Sequence, residues 1–447
     1  MNTTMLGRKA FTGSSSSGAV MAIEASAIEA DFAVQEANEA YAEFVETNIV
    51  LEQLDNAVAS LEDIQTATAA RTEEGGLDSI SAQYMAIAAD AAMRPFGGYA
   101  ASGSTIAAQE DFDDADSRVS VTVAAQEGFV DTIKKAGQAV INFLKKMWEK
   151  VQDFLRKNLK LAERMEKKAK DLGDEAKKAK GSPKESEMKV GGSVKYFYID
   201  GSLSEKHADN VAQMTTVVND WGFGDASLTA AQEGEKMFDN VAKALKDIKE
   251  AGDADKMEDN SVAVDDVLPD GKELSGDDRY EDFEKAVASA SAPGDMAVIS
   301  AAKAKDGAVT SVKCDFTRFE DSEADYDKDE ELKAIGASDV TNMAAAVEKL
   351  ASAIQDSDKG QGKLDKAMKK FEKTLDGVEK ELGRIEKIDG ISGKTSEISQ
   401  QIRTGTKVAG DQLRAAISVG GDVVRHGMSV GNTYLAFGKK CLGNLEE

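Results

Sequence analysis

The side chains of this protein most able to do chemistry are its histidines, cysteines and clustered carboxylates, and their spacing matches no familiar reactive arrangement. There are two histidines, His207 and His426. Neither stands near a cysteine or serine in a nucleophile setting, where a base must reach the group it activates. A structural or surface role is expected for both. Cys314 and Cys441 are too far apart in sequence for a zinc site, whose ligand pairs stand about two to four residues apart, or for a disulfide framework; both read as ordinary thiols in a reducing cytosol. Asp325, Asp327 and Asp329 imitate the start of a calcium loop. Glu330 replaces its turn glycine, however, and Gly336 its bidentate glutamate. Gly393–Thr395 reads GKT, but Ile388 stands where a phosphate loop needs its first glycine. The chain is therefore expected not to be an enzyme, and no cofactor or metal is expected.

One pattern remains. The tetrapeptide AAQE occurs at Ala107–Glu110, Ala124–Glu127 and Ala230–Glu233. The first two copies flank a small, polar, acidic stretch without sustained periodicity, where backbone is expected to be extended and open to a protease. Thr229 and Gln232 resemble a capping box, so the third copy is expected to open a helix.

The elements that must carry these residues follow from composition and period. The chain has 447 residues, 41% of them hydrophobic and only 6% aromatic, with four prolines and a net charge of −26. That composition favours helices over a large sheet. Residues 1–127 carry 21 acidic and 5 basic side chains, a net −16, whereas residues 128–180 carry 15 basic and 8 acidic, a net +7. Such asymmetry points to segments with different partners. No run approaches the roughly 18 apolar residues of a membrane span, and the first residues lack a secretory core.

The expected fold is mainly α with a small α+β domain. Residues 1–96 form an acidic helical segment, with helices over Ile23 to about Ala70 and Asp78 to Met93, and residues 97–127 an exposed linker. Residues 128–183 form a long basic amphipathic helix that includes Phe143, Met147, Trp148 and Phe154, broken by Gly181 and Pro183. Residues 190–320 make the small α+β domain. Within it, VKYFYID and VTSVKCDFTRFE read as strands, and helices are expected at Ala208–Asp220, Thr229–Ala251 and Tyr280–Ala290. Residues 321–336 are an acidic linker. The C-terminal helical region, 337–447, contains helices at Ala337–Gln355, Leu364–Ile388 and Ser396–Ser418, followed by a glycine-rich tail that reads as a broken helix.

With these residues in place, the chain resembles precursors of the internal head proteins of giant, phiKZ-like tailed phages. Ala125-Gln126-Glu127 and Ala108-Gln109-Glu110 match the small-x-Glu context after which the prohead protease of such phages cuts. Glu24, Glu29 and Glu233 fit the same loose pattern as weaker sites. The acidic helices around LEQLDNAVASLEDIQ, a cut, and a new start at Gly128 in GFVDTIKK are similar to a head-protein propeptide and its mature N-terminus. The resemblance implies assembly with other prohead core and capsid proteins, processing by the prohead protease, and a mature chain kept inside the head and available for ejection with DNA. The alternatives are a transient scaffold, which the α+β domain argues against, and a membrane-active or host-directed effector carried by the basic helix. For that helix, packing against its neighbours is favoured over membrane binding, and packaged DNA is a weak candidate partner because the rest of the chain is acidic.

Overall fold

A computed structural model describes residues 159–254, 263–275, 277–305, 308–318, 330–385 and 395–445, with single positions at Glu149, Gln152, Arg156, Tyr326, Lys387 and Ile388. The helices expected over Ile23–Ala70 and Asp78–Met93, the linker 97–127 and most of 128–158 lie outside the described residues.

Five long helices form the frame: α1 (159–178), α2 (His207–Trp221), α3 (Asp225–Asp247), α4 (Ala337–Ile385) and α5 (Thr395–Gly443). Each follows from apolar residues recurring three and four apart. In α1 these are Leu161, Ala162, Met165, Ala169, Leu172 and Ala176, all buried. In the second half of α4 they are Leu364, Met368, Phe371, Leu375, Val378 and Leu382, which join the same core. The helix α5 packs against α2, α3 and α4 and against the sheet, so it lies at the centre of the described fold.

The described strands all come between α1 and α4 in the chain. The pair β1 (Glu187–Lys189) and β8 (Glu331–Lys333) is antiparallel, with Met188 opposite Leu332. A tight hairpin joins β2 (Tyr198–Ile199) to β3 (Ser202–Leu203). The main sheet is an antiparallel meander of β4 (Lys272–Glu273), β5 (Lys285–Ala288), β6 (Met296–Lys305) and β7 (Ala308–Arg318), with a bulge between Lys303 and Ala304. The Asp411 carboxylate on α5 accepts from the Val312 amide and the Ser311 hydroxyl, each at 3.3 Å, which fixes the helix against β7.

Several local expectations differ from the structure. Tyr280–Ala290 is not helical: Asp278–Tyr280 is one 3-10 turn and Lys285–Ala288 is a strand. Its small residues have modest strand preference alone, but pairing with β6 buries Ala286, Val287 and Ala288, and tertiary context overrides local preference. VKYFYID is mostly a 3-10 helix (Gly191–Phe197), and only Tyr198–Ile199 is strand. The acidic stretch assigned to a linker ends in β8, because Leu332 is buried against the core. Thr229 does not cap a helix. The helix α3 begins at Asp225, and the Thr229 hydroxyl donates back to the Asp225 carbonyl at 2.9 Å.

The largest difference concerns glycine. Ala337–Gln355 and the segment from Leu364 are one helix of 49 residues, and so are Ser396–Ser418 and the glycine-rich tail. Glycine in a helix costs only about 1 kcal/mol relative to alanine, and here close approach repays that cost. The turn between α2 and α3 carries Phe223 at φ 64°, with a buried ring. A Cβ on Gly360 of α4 would run into the Phe223 carbonyl oxygen, and one on Gly420 of α5 would come within 2.6 Å of the ring. Phe223 is thus a wedge seated between two helices that are notched to receive it. Farther along α5, Gly431 faces the Met165 sulfur and Gly438 faces the Met343 methyl.

Candidate functional site

The processing residues read from the sequence, Ala108, Gln109, Glu110, Ala125, Gln126, Glu127 and Gly128, and the weaker Glu24 and Glu29, lie outside the described residues. Glu233 is described. It sits in the third turn of α3, 31% exposed, with Lys236 Nζ at 3.3 Å, and its backbone is helical. A protease that binds its substrate as an extended strand cannot read it there without unwinding α3. Glu175, Glu348 and Glu379 also have a small residue two positions earlier, and they lie in α1, α4 and α4. Glu273, preceded by Gly271 and Lys272, differs because it is exposed and extended at the end of β4. Hydrogen bonding to β5 holds it on one side only.

The two histidines converge on one segment. His207, the first residue of α2, is 5% exposed and faces Phe197, Tyr434 and Phe437 with ring centroids 5.0–5.9 Å away. Its ring nitrogens have no hydrogen-bond partner. Burial pulls its pKa down to about 4, against a weaker opposing pull from Glu205 and Asp339. His426 on α5 lies against Tyr196 and Phe316, and its Nε2 is 2.6 Å from the Pro293 carbonyl. Burial likewise holds it near about 4, with the Pro293 bond opposing and Arg425 and Lys195 assisting. A neutral Nε2–H donating to that carbonyl fits both observations. Tyr434 completes the arrangement by donating to the Tyr196 carbonyl at 3.1 Å while accepting from Asn210 Nδ2 at 3.0 Å. Both histidines therefore clamp the 3-10 segment 191–197 onto α5. This is the structural role expected from their isolation in sequence; a neutral, enclosed imidazole without a nucleophile beside it has nothing to activate.

The thiols are free. Cys314 lies 3.1 Å from the Ser300 hydroxyl, and burial pushes its pKa up to about 12. Cys441 is buried, 3.7 Å from the Met188 sulfur, and is also raised by burial. Neither has the lowered pKa of a reactive thiol. Among the described residues no group of three or more His, Cys, Asp or Glu is arranged to hold a metal ion. The acidic stretch is anchored at Tyr326, which donates to the Gly294 carbonyl at 3.1 Å and lies under Arg318 at 4.6 Å. Asp325, Asp327 and Asp329 themselves, and Gly393 and Lys394, fall outside the described residues.

The described part of the basic helix spends its apolar face on the core, through Met165 against Gly431 and Leu172 near Gly438. No helix among the described residues is long and apolar enough to cross a membrane. What sequence reasoning missed is the wedge. Its signal was present as Gly222-Phe223-Gly224 between two helical patterns, since adjacent glycines around one large apolar residue mark a tight turn that buries it.

No curated protein and no solved structure matches the chain. Residues 27–440 match the family of phiKZ-like phage internal head proteins. That match spans both the described core and most of the acidic N-terminal segment, so the chain belongs to the phiKZ-like phage internal head proteins, structural components of the virion head.

Proposed function

We propose that residues 1–127 are a propeptide removed during head maturation by cleavage after Glu127, with Glu110 as an upstream site. The remaining chain, 128–447, then stays in the capsid with other core and capsid proteins and is available for ejection with the DNA. On this reading it works by packing, not catalysis. The segments 1–96 and 97–127 serve as acidic propeptide and cleavable linker, followed by the basic helix (128–183), the α+β part (190–320), the acidic linker (321–336) and the helical region (337–447).

The observation that carries this reading is a contrast among identical tetrapeptides. Two AAQE copies stand in a small-residue acidic stretch immediately before a charge reversal, and the third is locked in α3. A chain that must survive a glutamate-selecting protease needs its remaining matches held in secondary structure; Glu175, Glu233, Glu348 and Glu379 are helical, and Glu273, extended on the edge strand β4, is the one match among the described residues held by pairing on one side only. Mass spectrometry of purified virions tests the proposal. The expected result is a peptide beginning at Gly128 and none from residues 30–90. Abundant virion peptides from 30–90 would overturn it, and a start at Asp111 would move the cut to Glu110. A Glu127→Gln chain should accumulate uncut, because an enzyme selecting glutamate reads its charge.

A further inference from the structure

The apolar stripe of α4 has a counterpart on the opposite side of the helix. Lys359, Lys363, Lys366, Lys370, Lys373 and Lys380 recur at spacings of four and three, with one seven, and all six are exposed. At 3.6 residues per turn they fall within an arc of roughly 100° and extend about 32 Å along the axis. Between Lys359 and Lys380 no carboxylate falls on this arc, and Glu381, just past its end, does. Asp358, Asp365 and Asp376 lie to one side and Asp356 to the other, while Glu381 is bonded to Arg384 at 2.7 Å. Lys359 pairs with Asp356 at 2.6 Å, and Lys370 pairs with Glu235. Lys363, Lys366, Lys373 and Lys380 have no carboxylate partner among the described residues.

We infer that this lysine row is a binding face for the phosphate backbone of duplex nucleic acid. Two features select that partner over an acidic protein. The other residues on the arc are Gly362 and Gly377, so the face has no apolar anchor. A protein interface draws its affinity from a desolvated core of aromatic and aliphatic side chains. A row of lysines alone can bind only by neutralising charge and releasing counterions, which a phosphate backbone rewards. The second feature is shape. Two rods meet along a line, so acidic residues at the flanks of α4 face away from a duplex laid on its lysine edge. About 32 Å is close to one duplex turn of roughly 34 Å, over which each of the two backbones crosses the line of contact. Binding is independent of base sequence, because a row laid along the backbone contacts phosphates, which carry no sequence information, and no element of the row enters a groove. The meeting with packaged DNA rests on retention in the head as proposed above; the binding itself does not.

The test measures anisotropy of a labelled random-sequence 30-base-pair duplex against the full chain and against protein recovered from virions, across a salt series. The expected log–log slope is roughly −3 to −4, corresponding to about four phosphates. Changing Lys363, Lys366, Lys373 and Lys380 together to Gln should weaken binding at least about tenfold at low salt and flatten the slope. The same four changed to Arg should bind as the wild type. A control with Lys272, Lys303, Lys313 and Lys333 changed to Gln alters net charge equally and should retain the slope. The proposal is overturned if neither form binds, if the two Gln variants behave alike, or if poly-L-glutamate outcompetes the duplex through the same four lysines. Virion mass spectrometry judges retention independently of all these outcomes.

Discussion

The helices α4 and α5 are each 49 residues long and lie in one core, yet they are built on opposite principles. The first carries 18 Asp, Glu, Lys and Arg residues and four glycines; the second carries nine and eight. In α4 one face is committed to the core and the other to water. The helix α5 is covered on nearly every side, by α1, α2, α3, α4 and β7, and glycine makes this possible by letting neighbours approach its backbone. The difference teaches that glycine content in a long helix can record the number of faces buried, not weakness.

The sharpest way to break this comparison is to add one methyl group. Gly360→Ala places a Cβ against the Phe223 carbonyl, and Gly420→Ala places one 2.6 Å from its ring. Each should cost about 3 kcal/mol or more, the upper range for overpacking a core, measured by denaturant unfolding. Phe223→Ala removes the ring but not the carbonyl. It should therefore relieve Gly420→Ala and leave Gly360→Ala as damaging as before; equal relief of both would refute the wedge.

The histidine clamp supplies the next effect, on the α5 side. His207 has a folded pKa of about 4 against an ordinary 6.5. Between those values the unfolded chain takes up a proton that the folded chain refuses, so stability is full above about pH 6.5 and falls as the pH drops towards 4. For His207 the loss is on the order of 3 kcal/mol, levelling off below the folded value. His207→Phe should reduce the slope in this window, leaving the share that His426, also held at about 4, contributes, with the helical circular dichroism at pH 7 unchanged. An unaltered slope between pH 6.5 and 4 would remove His207 from the account.

How much of this was legible beforehand depends on whether the cause was local. Residues 208–220 were expected as helix and α2 is His207–Trp221, because its apolar spacing is written in consecutive turns. The strand β7 was legible from its alternation. The continuity of α4 through Gly360 was not, since the reason lies about 137 positions away at Phe223 and no local window contains it. The candidate processing site shows the same limit. The helical state of Glu233 was legible from the capping pattern at Thr229 and Gln232, but the helix starts four residues earlier, at Asp225, and Thr229 caps nothing. The lysine row was fully present in the sequence and passed over, because a search for apolar periodicity does not register a charged one.

A smaller effect sharpens the comparison from the α4 side. Nothing lies within 4 Å of a Cβ built on Gly377. Gly377→Ala should therefore stabilise the protein by up to about 1 kcal/mol, the helix-propensity gain alone. Opposite signs for the same substitution at Gly360 and Gly377 would separate close approach from propensity. The smallest expected effect is chemical: the buried Cys441 should resist a disulfide-exchange reagent in the folded protein and react fully in denaturant, more slowly in the folded chain than the half-buried Cys314, with fast labelling of Cys441 counting against its burial.

The end of α5 is tied to the segment before β1. Pro183 bridges Leu445, the Lys184 amide donates to the Asn444 carbonyl at 2.8 Å, and Asn444 Nδ2 donates to the Glu185 carbonyl at 2.9 Å, across 259 positions. At roughly 5–20 residues per second a ribosome needs about 13–50 s to travel that distance. Until it does, α2, α3 and α4 have emerged without the helix that covers their apolar faces. This is therefore a helical protein with the folding schedule of a sheet protein, in which the helix that covers the core is made after the helices it covers and the nascent chain must be kept from aggregating over that interval.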